Sequence, residues 1–300
     1  MPPKIELLTS PRWNDYELLD SGSGQKLERF GPYTFVRPEV QALWTKALPS
    51  ERWQAAQAVF QPTGEESGGH WAMKKKVLEK WEMSYPLAGA TPLRFSAMTT
   101  PGRHLGVFPE CAAHWDWMAG LIGRAGSSVS VLNLFGYTGL ATLAAAAAGA
   151  KVTHVDASKK SVGWARENQT LSGLTEKPVR WIVDDALKFV EREARRGAKY
   201  DGILLDPPKF GRGPKGEVWE VYKSLPELLG ACRAVLSEQP LFVVLTVYAV
   251  RLPAVHAYLA LAEMMKGKRG DLECGELVTE ERSAGRLLSQ AAFARWRGNK

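Results

Sequence analysis

The sequence predicts an α/β protein: a mainly parallel sheet with covering helices over residues 91–300, preceded by a small β-rich N-terminal domain over residues 1–90. Three observations carry that expectation. The stretch VLNLFGYTGLATLAAAAAGAKVTHVD, from Val131 to Asp156, has the order strand, tight turn, helix, strand. Further on, DGILLDPPKFGRGPKG, from Asp201 to Gly216, sets an acid at the end of another apolar strand. The N-terminal part differs in texture. YELLDSGSGQKLERFGPYTFVRP shows short apolar or alternating runs cut by Ser-Gly-Ser-Gly and Gly-Pro, a small antiparallel pattern.

In the first stretch, Val131, Leu132, Leu134 and Phe135 form the short apolar run that a parallel strand needs when both its faces are covered. Gly136 and Gly139 break the run. Thr138 is expected to cap a helix that starts near Leu140 and ends at Gly149, and a second strand, Lys151 to Val155, leads to Asp156. Glycines in such a turn let the backbone bend sharply and let a ligand lie against main-chain amides. Asp156 stands twenty residues beyond Gly136, the spacing at which nucleotide-binding α/β folds place a carboxylate on the ribose hydroxyls. The turn from Asn133 to Gly139 reads N-x-F-G-x-T-G and lacks the second glycine of G-x-G-x-x-G, the one that brings backbone close to a pyrophosphate. A nucleoside without phosphates is therefore favoured, with a generic α/β turn as the plain alternative.

In the second stretch, Asp206 ends a strand through Ile203 and Leu205, at the position where open α/β sheets bind ligands. Pro207 and Pro208 remove two backbone donors and hold the chain extended, so the corner presents acceptors only. With Lys209 and Phe210 it gathers an acid, carbonyls, a cation and a ring face, a set suited to a flat nitrogenous group. A proline-stiffened loop that merely stops a strand is the other reading.

Taken in order, NLFGYTG, VDASKKSVGWARENQTLSGL, DDALKFV and DPPKF resemble the class I S-adenosylmethionine-dependent methyltransferases of bacterial large-subunit ribosomal RNA, in particular those acting on cytosine C5 or guanine N7 of 23S rRNA. The resemblance covers roughly Pro92 to Thr246 and is more specific for fold and cofactor than for target. It implies a seven-stranded, Rossmann-like sheet finished by an antiparallel hairpin, here Asp271 to Thr279 and Gln290 to Trp296. It also implies that S-adenosyl-L-methionine is held by Phe108, by Asn133, Phe135, Gly136, Thr138 and Gly139 of the turn, by Asp156, Ala157 and Ser158, by Asp185 and Ala186, and by Asp206. The catalytic corner it implies is Asp206, Pro207, Pro208, Lys209 and Phe210. In this reading Asp156 accepts from both ribose hydroxyls, Asp185 accepts from the adenine amine and Ala186 offers its amide to a ring nitrogen. Asp185 is equally suited to capping a helix. A G-x-F-x-(D/E)-like segment that closes over the methionine end is matched loosely by Gly106, Phe108, Pro109 and Glu110. Phe108 either faces the sulfonium or is a core residue ahead of a helix from Pro109 to Ile122.

Two departures matter. Members of that family often carry a PUA module before the small β domain, and the chain is too short ahead of residue 91 for both. The cytosine-C5 enzymes also place a nucleophilic cysteine after the fifth strand, because C5 must be activated by covalent attack at C6; Thr246, Val247 and Tyr248 stand there instead. A nitrogen carries its own lone pair, so N-methylation is the better expectation.

Composition sets outer limits. At 300 residues and 45% hydrophobic content the chain can bury a large core, and a formal net charge of +7 favours an anionic partner. Cys111, Cys232 and Cys274 form no C-x-x-C pair, so neither a disulfide framework nor a zinc site is expected, in keeping with a reducing cytosol. MPPKIELLTS has no apolar h-region and no apolar run reaches membrane-spanning length. The expected setting is cytoplasmic, with RNA as partner, ribosomal RNA first, with no metal or membrane and with a homodimer left open.

The remaining elements are read more coarsely. A helix is expected from Glu39, an exposed loop at QPTGEESGGH, and core positions for Trp13, Trp44, Trp53, Trp71 and Trp81 in preference to base-stacking platforms. Helices are expected over Ser158–Leu171, Val218–Leu236 and Leu252–Lys266, with strands over Val179–Val183 and Leu241–Val247. The loop GRGPKGEVWEVY carries Arg212 and Lys215 and either grips a strand flanking an extruded base or is a surface linker. Methylation of a protein or small molecule, a cofactor-binding RNA assembly factor without turnover, and, last, a nicotinamide oxidoreductase are the competing functions.

Overall fold

The computed structural model describes residues 2–63, 68–126, 128–248 and 252–299. The chain begins with β1 (Ile5–Leu8) and then builds the small sheet from β2 (Tyr16–Gly22), β3 (Gln25–Phe30), β4 (Tyr33–Pro38), β5 (Ala58–Pro62) and β6 (Gly69–Met73), which lie side by side in that order. All neighbours in it are antiparallel except β4 and β5. The helix expected from Glu39 is absent; α1 (Ser50–Gln54) is short and starts after Pro49. Instead the carbonyls of Ala42 and Trp44 accept from the amides of Gly24 and Ser23, which holds that segment extended against the β2–β3 turn. QPTGEESGGH joins β5 to β6, and its residues 64–67 lie outside the described residues.

A hairpin of β7 (Trp81–Tyr85) and β8 (Leu93–Ala97) leads into a single 3-10 turn at Pro109–Cys111 and then α2 (Ala112–Arg124), so the helix expected from Pro109 is α-helical only from Ala112. The large domain alternates β9 (Ser130–Leu134), α3 (Leu140–Ala147), β10 (Lys151–Asp156), α4 (Lys159–Leu171), β11 (Val179–Val183), α5 (Ala186–Arg195) and β12 (Gly202–Leu205). A small hairpin, β13 (Phe210–Arg212) and β14 (Val218–Glu220), precedes α6 (Val221–Val235), which therefore starts three residues later than expected. The chain ends with β15 (Phe242–Val247), α7 (Ala254–Met264) and the long hairpin β16 (Gly270–Glu280) and β17 (Leu287–Gly298).

The large sheet runs β1-β16-β17-β15-β12-β9-β10-β11, parallel except for β17. Its seven strands from β16 to β11 are the expected ones, and β1 adds an eighth beside β16. IELL is too short to carry a periodic signal, and its pairing is set by tertiary contact. Gly275 permits it, because a Cβ there would lie 1.8 Å from the Glu6 carbonyl oxygen.

The small and large sheets share a core. Phe30, Phe35, Tyr85 and Phe95 belong to one buried cluster with Trp115, Val131 and Leu143. Trp53 and Trp81 are buried, and Trp13 and Trp71 pack on that cluster, Trp13 lying 4.7 Å from the Tyr85 ring. The second cluster fills the other face of the large sheet, from Leu132 to Trp296. Polar ties reinforce the join. The turn after β16 docks Glu281, Ser283 and Arg286 on Asp20 and Ser21 of β2.

Inside the small sheet, Arg37 forks onto Glu28 with two hydrogen bonds of 2.7 Å, and Tyr16 donates to the same carboxylate at 3.0 Å. Burial pushes the Glu28 carboxyl up, but the charges of Arg37 and Lys26 outweigh it and hold it near 2, below its ordinary 4.5. Stability from this group is therefore complete above about pH 4.5 and is lost as pH falls towards 2. Arg37→Ala leaves a buried carboxylate unpaired and is expected to cost about 3–5 kcal/mol at neutral pH. Urea denaturation measures it, and a loss under about 1 kcal/mol would show that the pair is not a structural anchor.

Candidate active site

The site is assembled where β9, β10, β11 and β12 end. After Leu134 the chain enters the turn with Phe135 at φ 57° and Tyr137 at φ 47°, both non-glycine residues in the left-handed region, before Gly139 at φ 84°. Such residues cost of order 1–3 kcal/mol each and persist only when their surroundings hold them. Here the neighbouring strand does so. Asp156 Oδ2 accepts from the Tyr137 amide at 2.9 Å, and the Val155 carbonyl accepts from Gly136 at 3.0 Å. Asp156 Oδ1 accepts from the Ser158 amide at 2.8 Å, and Ser158 Oγ caps α4. Burial raises the Asp156 carboxyl above its ordinary range, against the two amide bonds.

Thr138 does not cap α3. Gly139 is the residue before the helix, and the Thr138 hydroxyl donates to the Gly106 carbonyl at 2.7 Å, tying the turn to the segment ahead of Phe108. The carbonyl of Thr138 accepts from Asn168 Nδ2, whose Oδ1 accepts from the Ser96 amide. Asn168 thus links α4, β8 and the turn, a role with no local sequence signal. Gly136 is required by packing rather than by ligand approach: a Cβ there would lie 2.4 Å from Cε1 of His154, which is buried in β10 and bonded to Thr142, itself bonded to Asn133.

Asp185 caps α5 by accepting from the Lys188 amide, while Asp184 pairs with Arg192. Asp206 at the end of β12 has Oδ1 buried with no hydrogen-bond partner. Burial, and then the nearby Glu110 carboxylate, push its carboxyl up to about 7. Pro207 is buried and Pro208 half-buried, with the Pro208 carbonyl accepting from Trp219 Nε1 at 2.7 Å. Lys209 is exposed, and Phe210 is 55% exposed at the start of β13. The glycine-rich loop after Phe210 is therefore an ordered hairpin.

Two adjoining cavities follow. The inner one, about 70 Å³, is bordered by Cys111, His114, Asn133, Thr138 and Thr246. The outer cleft, about 360 Å³, is bordered by Asp156, Ala157, Ser158, Asp185, Ala186, Pro208 and Arg212. Phe108, Phe135, Tyr137 and Asp206 border both, and Gly136 borders the inner one alone. Phe108 lies 5.4 Å from Tyr248, 5.9 Å from Tyr137 and 4.7 Å from His104, so it is part of an aromatic collar and not of the closed core. Gly139 is turned to Ala165 of α4 and borders neither cavity. Sequence reasoning missed Cys111, His114, Tyr137, Thr246 and Tyr248. Among the described residues no His, Cys, Asp or Glu group could hold a metal ion, and no helix is long and apolar enough to cross a membrane.

A parallel sheet with this strand order, a nucleoside-sized cleft lacking a diphosphate loop, and an acid-proline-proline corner define a class I methyl-donor-binding enzyme. Comparison agrees: residues 53–240 match the model of the S-adenosylmethionine-dependent methyltransferases, and the chain belongs to that family. A solved S-adenosylmethionine-dependent methyltransferase from Agrobacterium tumefaciens is 46% identical, with a TM-score of 0.92 over 100% of this chain and 98% of that one. The ribosomal RNA large subunit methyltransferase K/L of Shewanella frigidimarina is 38% identical over 119 residues, which are 39% of this chain and 16% of the relative. The ribosomal RNA large subunit methyltransferase I of Aeromonas salmonicida is 37% identical over 113 residues, 37% of this chain and 26% of the relative. The matched stretch thus spans only 16% and 26% of these two curated relatives. The protein is an S-adenosylmethionine-dependent methyltransferase.

Gly136→Ala is expected to destabilise the fold by about 1–3 kcal/mol through the clash with His154. In the double variant Gly136→Ala/His154→Ser most of that loss should disappear. Thermal denaturation of the four proteins in the cycle decides it, and additive losses would exclude direct contact.

Proposed function

We propose that this enzyme methylates a base nitrogen in RNA, with ribosomal RNA as the substrate class, in the cytoplasm. The observation that carries the proposal is Asp206: a buried carboxylate oxygen without a partner, standing between the two cavities and followed by the exposed Phe210. A carboxylate can accept only, so its match is an N–H group. The relatives named for ribosomal RNA large subunit methylation support a nucleic acid substrate, as does a net charge of +7.

When bound, S-adenosylmethionine supplies an electrophilic methyl group on its sulfonium. Asp156 and Ser158 would hold the ribose in the outer cleft, Asp185 and Ala186 the adenine, and Phe108 would stand beside the sulfonium. Asp206 and the Pro207 carbonyl orient the amine edge of the acceptor base, and Phe210 stacks on its ring. Positioning of this kind lowers barriers by up to about 7–11 kcal/mol. An N–H nitrogen that takes the methyl group as the donor's carbon–sulfur bond breaks would become cationic and release a proton, which Asp206 would receive. Arg212 on the β13–β14 hairpin borders the same cleft, placed for a phosphate flanking the base.

Nitrogen is favoured over C5 by the state of the cysteines. Cys232 and Cys274 are buried in α6 and β16. Cys111 borders the inner cavity with Asp206, but burial, then the Asp206 and Glu110 carboxylates, push its thiol well above the ordinary value. A thiol held protonated is a poor nucleophile.

Asp206→Ala should abolish turnover and leave S-adenosylhomocysteine affinity within about twofold, measured by tritium transfer to total RNA with and without nuclease and by calorimetry. Label that survives nuclease would place the acceptor on protein or a small molecule. In the wild-type enzyme kcat/KM should fall as pH drops through about 7, where Asp206 takes up a proton; a flat profile from pH 6 to 8 contradicts the proton-acceptor role. Asp156→Ala should weaken S-adenosylhomocysteine binding by about 1.5–3 kcal/mol, and unchanged calorimetric affinity removes the ribose assignment.

A further inference from the structure

His114 is the least expected polar group in the site. It projects from the apolar face of α2, is 4% exposed, and neither of its ring nitrogens has a hydrogen-bond partner. Buried polar groups are rarely left unmet, and an unmet one bordering a cavity points to a ligand. His114 borders the inner cavity. Its ring is fixed edge-on against Phe293 at 5.2 Å.

The charge around it is one-sided. Burial, and then the Arg295 guanidinium, hold the imidazole neutral, with its pKa lowered to about 3. A neutral imidazole keeps one N–H donor, and a guanidinium close enough to act on it makes this end of the cavity electropositive. Arg295 itself is paired with Glu273 on the far side of the hairpin. Around it the lining is largely apolar, with Met118, Leu140 and Val244, while Asn133 and Thr138 on the turn side already bond within the protein.

Topology fixes what can enter. With the nucleoside at Asp156 in the outer cleft and the sulfonium where Phe108 and Asp206 stand between the cavities, the amino-acid tail of the donor leads inward. We infer that His114 is a positioning residue for the α-carboxylate of the donor's methionine moiety, donating its N–H to that group. It thereby makes the pocket selective for a donor with an intact amino-acid head. The role rests on the family's cofactor and not on the RNA substrate.

The test uses two ligands that differ only in that head: S-adenosylhomocysteine, which carries it, and 5′-methylthioadenosine, which does not. Calorimetry on the full chain should show His114→Ala weakening S-adenosylhomocysteine by about tenfold or more, as for a hydrogen bond to a charged group, with 5′-methylthioadenosine within twofold. His114→Asn, which retains an N–H donor, should recover part of the loss. Unchanged S-adenosylhomocysteine affinity, or an equal loss for both ligands, overturns the inference. Wild-type protein that binds neither ligand would instead bring down the placement of the cofactor itself.

Discussion

The carboxylate of Asp156 closes the turn between β9 and α3, and the turn residues that border both cavities are held by that closure. In-register pairing of β9 with β10 brings the acid alongside the turn, where it accepts the Tyr137 amide. The backbone it holds has Phe135 and Tyr137 in left-handed conformations, and both rings consequently border the two cavities. The strain is local and the restraint comes from a different strand, so the turn is rigid before any ligand arrives. The same carboxylate starts α4 through Ser158. One side chain therefore shapes the turn, the aromatic collar and the start of the next helix.

The small sheet lines neither cavity but braces a loop that does. Trp71 donates to the Thr100 carbonyl and Arg37 to the Arg103 carbonyl, and Thr100 and His104 border the outer cleft. The forked Arg37–Glu28 pair thus anchors a loop that borders the outer cleft. A buried ion pair contributes little net stability but fixes geometry once formed. The β-rich unit shares its aromatic core with α2 and α3, which keeps that loop in register with the turn.

At the corner after β12 a single environment sets two opposite reactivities. Burial beside Glu110 raises Asp206 to about 7, poised to take a proton near neutrality, and raises the Cys111 thiol out of its reactive range. Glu110 itself is buried behind the wall, raised chiefly by burial against the pull of Lys26 and Arg37. Both shifts have the same electrostatic origin, burial beside a carboxylate.

Much of this was legible in the chain alone. Uniformly apolar strands, the N-x-F-G-x-T-G turn, the acid twenty residues on and DPPKF specified a parallel sheet and a nucleoside donor, because backbone bending and strand burial act over short stretches of sequence. The helix after Ser158 was readable for the same reason. What only the folded structure decided are features made by residues distant in sequence: β1 completing the sheet, Thr138 bonding Gly106 instead of capping α3, the need for glycine at 136 arising from His154, and His114 standing unpartnered over the inner cavity. Local propensity has no term for a partner fifty or two hundred residues away, and the proton affinity of Asp206 is set by burial, which exists only once the chain has closed around it.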